Sequence, residues 1–288
     1  MRSPILNSLL VVFAFVAASL PRAEASDLVT FTPPTNSSPL GSTVVSWDSL
    51  VFRPTPIGFY CPVFDQPTRS LEKFELHVTV LQAGMASHAP HRHSWEELLL
   101  VKEGTVEALI NGKREQAGPG ALIFLASHDV HNVTNFGTTP ATYYVINFVT
   151  DTALTMQDRP AAEWAPPQML TSRVVDCDRL TGGANKTGFH REVFDSPTLT
   201  FQRLESHLTT LNPGASTRPK SRDPGDELFI VKSGAVEVTL NDVTSHVGAG
   251  SFYYVAPNDE RTMKNLGRVP AVYQVFKAVS DKSPKPET

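Results

Sequence analysis

His91 and His93 lie two residues apart, and Glu97 follows four residues after the second histidine. Residues two apart on an extended strand project to the same face, so both imidazoles point one way. Glu97 keeps that parity if the strand resumes after a turn at Ser94 and Trp95. Beyond Gly120 and the apolar run ALIFLA comes His131, which an antiparallel barrel can set beside the first three. Three imidazole nitrogens and a carboxylate suit one divalent transition metal ion, namely Mn, Fe, Ni, Co, Cu or Zn, with room for water or substrate. Such a cation can act as a Lewis acid, generate hydroxide or, if redox-active, engage dioxygen. Glu97 is also the candidate catalytic group, able to take a proton if it leaves the metal during turnover. Glu75, His77 and His128 are the remaining acid or base candidates. Glu96, of opposite parity, faces away, and His88 belongs to a loop or supports a ligand. His128 either lines the mouth of the pocket or serves a turn.

The elements that must position these residues are written twice. At a constant offset of 130, residues 42–147 overlie 172–277 without a gap, so that GFYCPVFDQPT matches GFHREVFDSPT and LLLVKEGTVE matches LFIVKSGAVE. Self-similarity over this length marks a duplicated structural unit. Each unit consists of short β-branched or alternating runs such as ELHVTVL and ATYYVINFV, cut by Gly, Pro, Asn and Asp clusters, with Asn111-Gly112 as the hairpin signal. The expected fold is all-β, two tandem antiparallel jelly-roll barrels at 42–150 and 172–278. Residues 151–171 read as a linker with a short helix around 161–164, and 279–288 as a disordered tail.

At the same offset His91 becomes Ser221, His93 becomes Asp223, Glu97 becomes Glu227 and His131 becomes Arg261. A permanent cation in place of the last ligand repels a divalent ion, so the second unit cannot repeat the metal site. Arg261 is expected to pair with Glu227 or Asp223. Two outcomes stay open: a scaffold whose former site is plugged by that pair, or a metal-free substrate pocket formed by Asp223, Glu227 and Arg261 in which Arg261 binds a substrate carboxylate. His77 has a counterpart in His207, which favours a structural role for both.

Gly84, His91, His93, Glu97 and Gly104, followed by Gly120, Ala126, His131 and Asn135, resemble the two motifs of the cupin superfamily. Ala126 stands where the family usually has proline and His128 where it usually has glycine. The resemblance covers both units and makes the chain look like a secreted bicupin whose first barrel keeps the metal-binding motifs. It implies an enzyme acting on a small oxygen-rich molecule, with dioxygenase or related oxidoreductase chemistry favoured. A hydrolase, an isomerase, a decarboxylase or a non-catalytic binding or storage protein are the alternatives. Oxalate-degrading bicupins usually keep two metal sites, which counts against that substrate.

A net charge of -4 without a basic block gives no footprint for nucleic acid. The N-terminus carries Arg2, an apolar core and Ala23-Glu24-Ala25, which read as a signal peptide, residues 1–25, cut after Ala25. The mature chain is therefore expected to be secreted or periplasmic, without a stable membrane anchor. Cys61 and Cys177 are too few for a disulfide scaffold, and form either one bridge or two buried thiols. Two fused barrels resemble a dimer of single ones, so a monomer suffices and a homo-oligomer stays open.

Overall fold

Side chains alternate along Glu96–Glu103, and the alternation feeds two interiors. Leu98 and Leu100 join a core shared by both halves of the molecule, whereas Leu99 and Val101 line the inside of the first half. Along Ala141–Val149 the division repeats, with Tyr144, Ile146 and Phe148 in the shared core and Tyr143 and Val145 facing inward. This is the period of two that a strand buried on both faces imposes.

The computed structural model describes residues 27–34, 37–157 and 169–285. The first unit supplies β1 (Asp27–Leu28), β2 (Thr43–Val45), β3 (Arg53–Thr55), β4 (Gly58–Gln66), β5 (Lys73–Leu81), β6 (His91–Arg92), β7 (Glu96–Glu103), β8 (Val106–Ile110), β9 (Lys113–Ala117), β10 (Ala121–Leu125), β11 (His131–Thr134) and β12 (Ala141–Val149). After α1 (Asp151–Thr155), the second supplies β13 (Arg173–Asp176), β14 (Gly183–Asn185), β15 (Gly188–Ser196), β16 (Arg203–Leu211), β17 (Asp226–Ser233), β18 (Ala235–Leu240), β19 (Val243–Gly248), β20 (Phe252–Val255), β21 (Arg261–Lys264) and β22 (Ala271–Val279). The fold is all-β, two tandem jelly-roll barrels. Sheets β1-β6-β11-β8-β9 and β13-β10-β7-β12-β5-β4-β3 enclose the first, and β14-β15-β16-β22-β17-β20-β2 and β19-β18-β21 the second.

Those orders correct the boundaries 42–150 and 172–278. β13 comes from the second unit yet lies on β10 of the first barrel, and β2 comes from the first unit yet lies on β20 of the second. Each barrel thus covers an open sheet edge with a strand of the other unit, satisfying backbone groups that would otherwise be unpaired. The disordered tail also needs correction as far as Lys285. Val279 closes β22 opposite Arg203, the buried Ser280 donates its hydroxyl to Ser70 O at 2.7 Å, and Lys282 pairs with Glu72 at 2.6 Å. The expected signal segment and the helix at 161–164 lie outside the described residues. Among the described residues no helix is long and apolar enough to cross a membrane. Cys61 and Cys177 are buried free thiols in the shared core.

Between the barrels two carboxyl groups dock reciprocally. Glu96 is buried and accepts from the backbone N–H of Thr200 at 3.2 Å and from its hydroxyl. At the 130-residue offset, the buried Asp226 accepts from the hydroxyls of Ser70 and Tyr254. Burial pushes both carboxyl groups above their ordinary values, against the pull of those hydrogen bonds. Between the ordinary and the raised value the folded chain holds more protons than the unfolded one, so this part of the stability falls as pH rises. Combining Glu96→Gln with Asp226→Asn is expected to flatten that fall when Tm is followed from about pH 5 to about pH 9. A profile parallel to the parent's would contradict the assignment. Glu96→Ala, which strands the Thr200 donors, is expected to cost roughly 1–3 kcal/mol by denaturant unfolding.

Candidate metal centre

Strand register assembles the histidine cluster. β6 pairs with β11 so that His131 stands opposite His91, while β7 pairs with β10 and carries Glu97 opposite Leu125. One ring nitrogen from each of His91, His93 and His131 lies within 4.8 Å of the others. Glu97 meets two of them, with Oε2 3.4 Å from His93 Nε2 and Oε1 4.0 Å from His131 Nε2.

The tautomers follow from the partners. His93 Nδ1 lies 2.8 Å from Trp95 O, and His131 Nδ1 lies 2.8 Å from Asp129 O. A carbonyl only accepts, so each Nδ1 carries the hydrogen and each Nε2 is left with a bare lone pair. Both Nε2 atoms are buried without a hydrogen-bond partner. Burying unsatisfied acceptors is costly, and a cation among them removes the cost. The donor set therefore fits a transition metal ion, and the backbone carbonyls orient its ligands from behind.

Electrostatics agree with that form. Burial pushes His131 down to about 4, helped by the neighbouring imidazoles. Burial, with His88, His131 and His93 nearby, pushes His91 down to about 3. Both are neutral at neutral pH, which is the ligating state. Burial also works against charge on Glu97, but the proximity of His131 and His93 outweighs it and holds the carboxyl well below the usual range.

Surrounding residues divide between support and access. His88 is exposed and holds His91 through an Nδ1 to Nδ1 hydrogen bond of 2.8 Å. Trp95 stacks flat on His93 at 4.3 Å and donates Nε1–H to Asn147 Oδ1 at 3.2 Å. Asn147 Nδ2 in turn donates to Glu75 Oε2 at 2.7 Å, and Glu75 Oε1 binds His77 Nδ1 at 2.6 Å. This chain was not evident from the sequence, although Asn147 changes to Lys277 at the offset and so marks a difference between the units. His77 packs against Tyr60, with the rings tilted and their centroids 4.8 Å apart, and lines the same cavity as His91, His93 and Glu97. That cavity measures about 520 Å³ and is walled mainly by apolar groups, among them Ile57, Phe59, Leu99 and Val133. His128 does not line it. With φ 65°, it occupies a left-handed turn and donates its backbone N–H to His93 O at 2.7 Å. Asn135 is buried and ties Leu81 O to Thr139 O, while Gly104, at φ 76°, has no room for a Cβ, which would lie 2.6 Å from Pro140 O.

In the second barrel Ser221 stands opposite Arg261, whose guanidinium meets Glu227 Oε1 at 2.5 Å. Burial opposes charge on Arg261, but Glu227 more than offsets it. Asp223 pairs instead with Lys277, the residue that replaces Asn147.

A family model described as Cupin domain matches residues 77–147 and again 207–276. No curated protein matches the chain. Among solved structures, AerE from Microcystis aeruginosa is 13% identical, with TM-score 0.59 over 83% of this chain and 98% of that one. Oxalate decarboxylase from Bacillus subtilis at pH 4.6 is 15% identical, with TM-score 0.62 over 86% of this chain and 79% of that one. At these identities the likeness is one of fold.

Elemental analysis of the purified chain is expected to find close to one transition metal ion per molecule. His93→Ala should lose it, whereas Arg261→Ala should keep it. Metal lost from the Arg261 variant and retained by the His93 variant would place the site in the other barrel.

Proposed function

Because the chain belongs to the cupin superfamily, with one cupin domain in each barrel, we propose that it is a metal-dependent enzyme acting on a small oxygen-rich substrate in the first barrel. The observation that carries this reading is the pair of buried, unpartnered Nε2 atoms of His93 and His131 converging beside Glu97. His91, His93, Glu97 and His131 would hold the ion. When bound, it would supply Lewis acidity toward substrate oxygens and, if redox-active, one-electron chemistry with dioxygen.

The cavity wall supports a choice among substrates. Oxalate, which gives one structural relative its name, is a two-carbon dianion with no apolar surface to bury. A cavity of about 520 Å³ walled by Ile57, Phe59, Leu99, Val133 and Val145 suits a larger body, such as a phenol or a hydroxylated aromatic acid that turns its oxygens toward the histidines. This supports oxygenase chemistry over decarboxylation of oxalate.

The chain's own residues then have distinct tasks. Glu97, ionised, balances charge at the metal. His77 gives Nδ1 to Glu75, which leaves Nε2 to accept a proton from a substrate hydroxyl in the cavity that His77 lines. Glu75 is held in turn by Asn147, so the imidazole is oriented through the same network that braces Trp95 against His93.

Oxygen consumption by the metal-loaded protein is expected with dihydroxylated aromatic acids and not with oxalate. Turnover of oxalate, or of no compound in the panel, would overturn the reading. His77→Gln is expected to lower kcat by roughly 10²-fold or more with metal content unchanged. A variant with parental kcat would remove His77 from the mechanism.

A further inference from the structure

The second barrel keeps a cavity of its own, about 180 Å³, at the position of the first barrel's site. It is smaller because Leu99, Ile123 and Val133 have become Phe229, Tyr253 and Met263, which fill its walls. Two imidazoles have become guanidinium groups: Arg261 replaces His131, and Arg218 replaces His88. Both arginines line the cavity, but Glu227 is the one carboxylate among its lining residues. Asp223 is taken by Lys277.

That charge count separates a plug from a site. Neutralising Glu227 requires one cation, and Arg261 supplies it through a single nitrogen at 2.5 Å. Arg261 Nε remains buried without a partner. Arg218, exposed at the rim, has no carboxylate partner among the described residues. The Arg261 guanidinium carbon lies over the Phe229 ring, 5.2 Å from its centroid, and Phe229 is stacked on Tyr253 at 4.5 Å, so an aromatic pair backs the guanidinium. Guanidinium groups in such a setting match a carboxylate's geometry and charge. We propose that the second barrel is a metal-free binding site for a small organic carboxylate, held between Arg261 and Arg218 against the wall of Phe229 and Met263. The size of the cavity limits the ligand to a few carbon atoms.

This site needs neither metal nor turnover in the first barrel, so its test uses the full chain stripped of metal and titrated calorimetrically with acetate and then glycolate. One saturable site per chain is expected for at least one of the two. Arg218→Gln, at an exposed position, should weaken that binding about tenfold or more. Arg261→Gln, if folded by circular dichroism, should abolish it, and His93→Ala should leave it unchanged. If Arg261→Gln fails to fold, the Arg218 and His93 variants decide. Absence of saturable binding of both acids, or binding that survives Arg218→Gln and disappears in His93→Ala, would overturn the proposal.

Discussion

One hydrogen atom on each of two imidazoles determines the chemistry of the first barrel. The carbonyls of Trp95 and Asp129 take the Nδ1 hydrogens of His93 and His131, so the Nε2 lone pairs are turned inward where no protein donor meets them. A protein interior tolerates such atoms poorly unless something positive lies between them. The fold around the cluster serves this arrangement. β11 sets His131 opposite His91, β7 carries Glu97 to the same space, and Trp95 holds the plane of His93. In the second barrel a guanidinium, which has donors only, occupies the corresponding place, and the same scaffold can then bind an anion but not a cation.

The two barrels are not independent carriers of these sites. Each lends the other an edge strand, and a carboxyl group from each docks into a turn of the other. Glu96 and Glu97 are neighbours on β7, one facing the partner barrel and the other the histidines. The strand that bears the carboxylate beside the histidines is therefore fixed from behind by the interface, which gives the rigidity that a preorganised site requires.

Much of this was legible in the residues themselves. The repeat sets the number of barrels, and parity separates Glu97 from Glu96. Parity did not tell that Glu96 would be buried, because the surface it faces is made by a turn of the other unit around Thr200. Strand exchange was hidden for a related reason: TVV at residues 43–45 and RVVD at residues 173–176 look like strands whichever sheet accepts them. A local pattern records that backbone groups need partners, not which chain segment supplies them. The Trp95, Asn147, Glu75 and His77 network joins two strands, β5 and β12, and the turn before β7 across more than 50 residues of sequence, so no local spacing reveals it. The ordered end of the chain depends on Ser280 and Lys282, polar residues with no periodicity to mark them.

Diffraction from crystals of the purified protein, collected on both sides of the absorption edge of its bound metal, tests the assignment most directly. The account requires one anomalous peak per chain in the first barrel, bonded to nitrogen from His91, His93 and His131 and to oxygen from Glu97, with none between Glu227 and Arg261. A peak in the second barrel, or a first-barrel cluster whose Nε2 atoms turn out to be bridged by water alone, would contradict it.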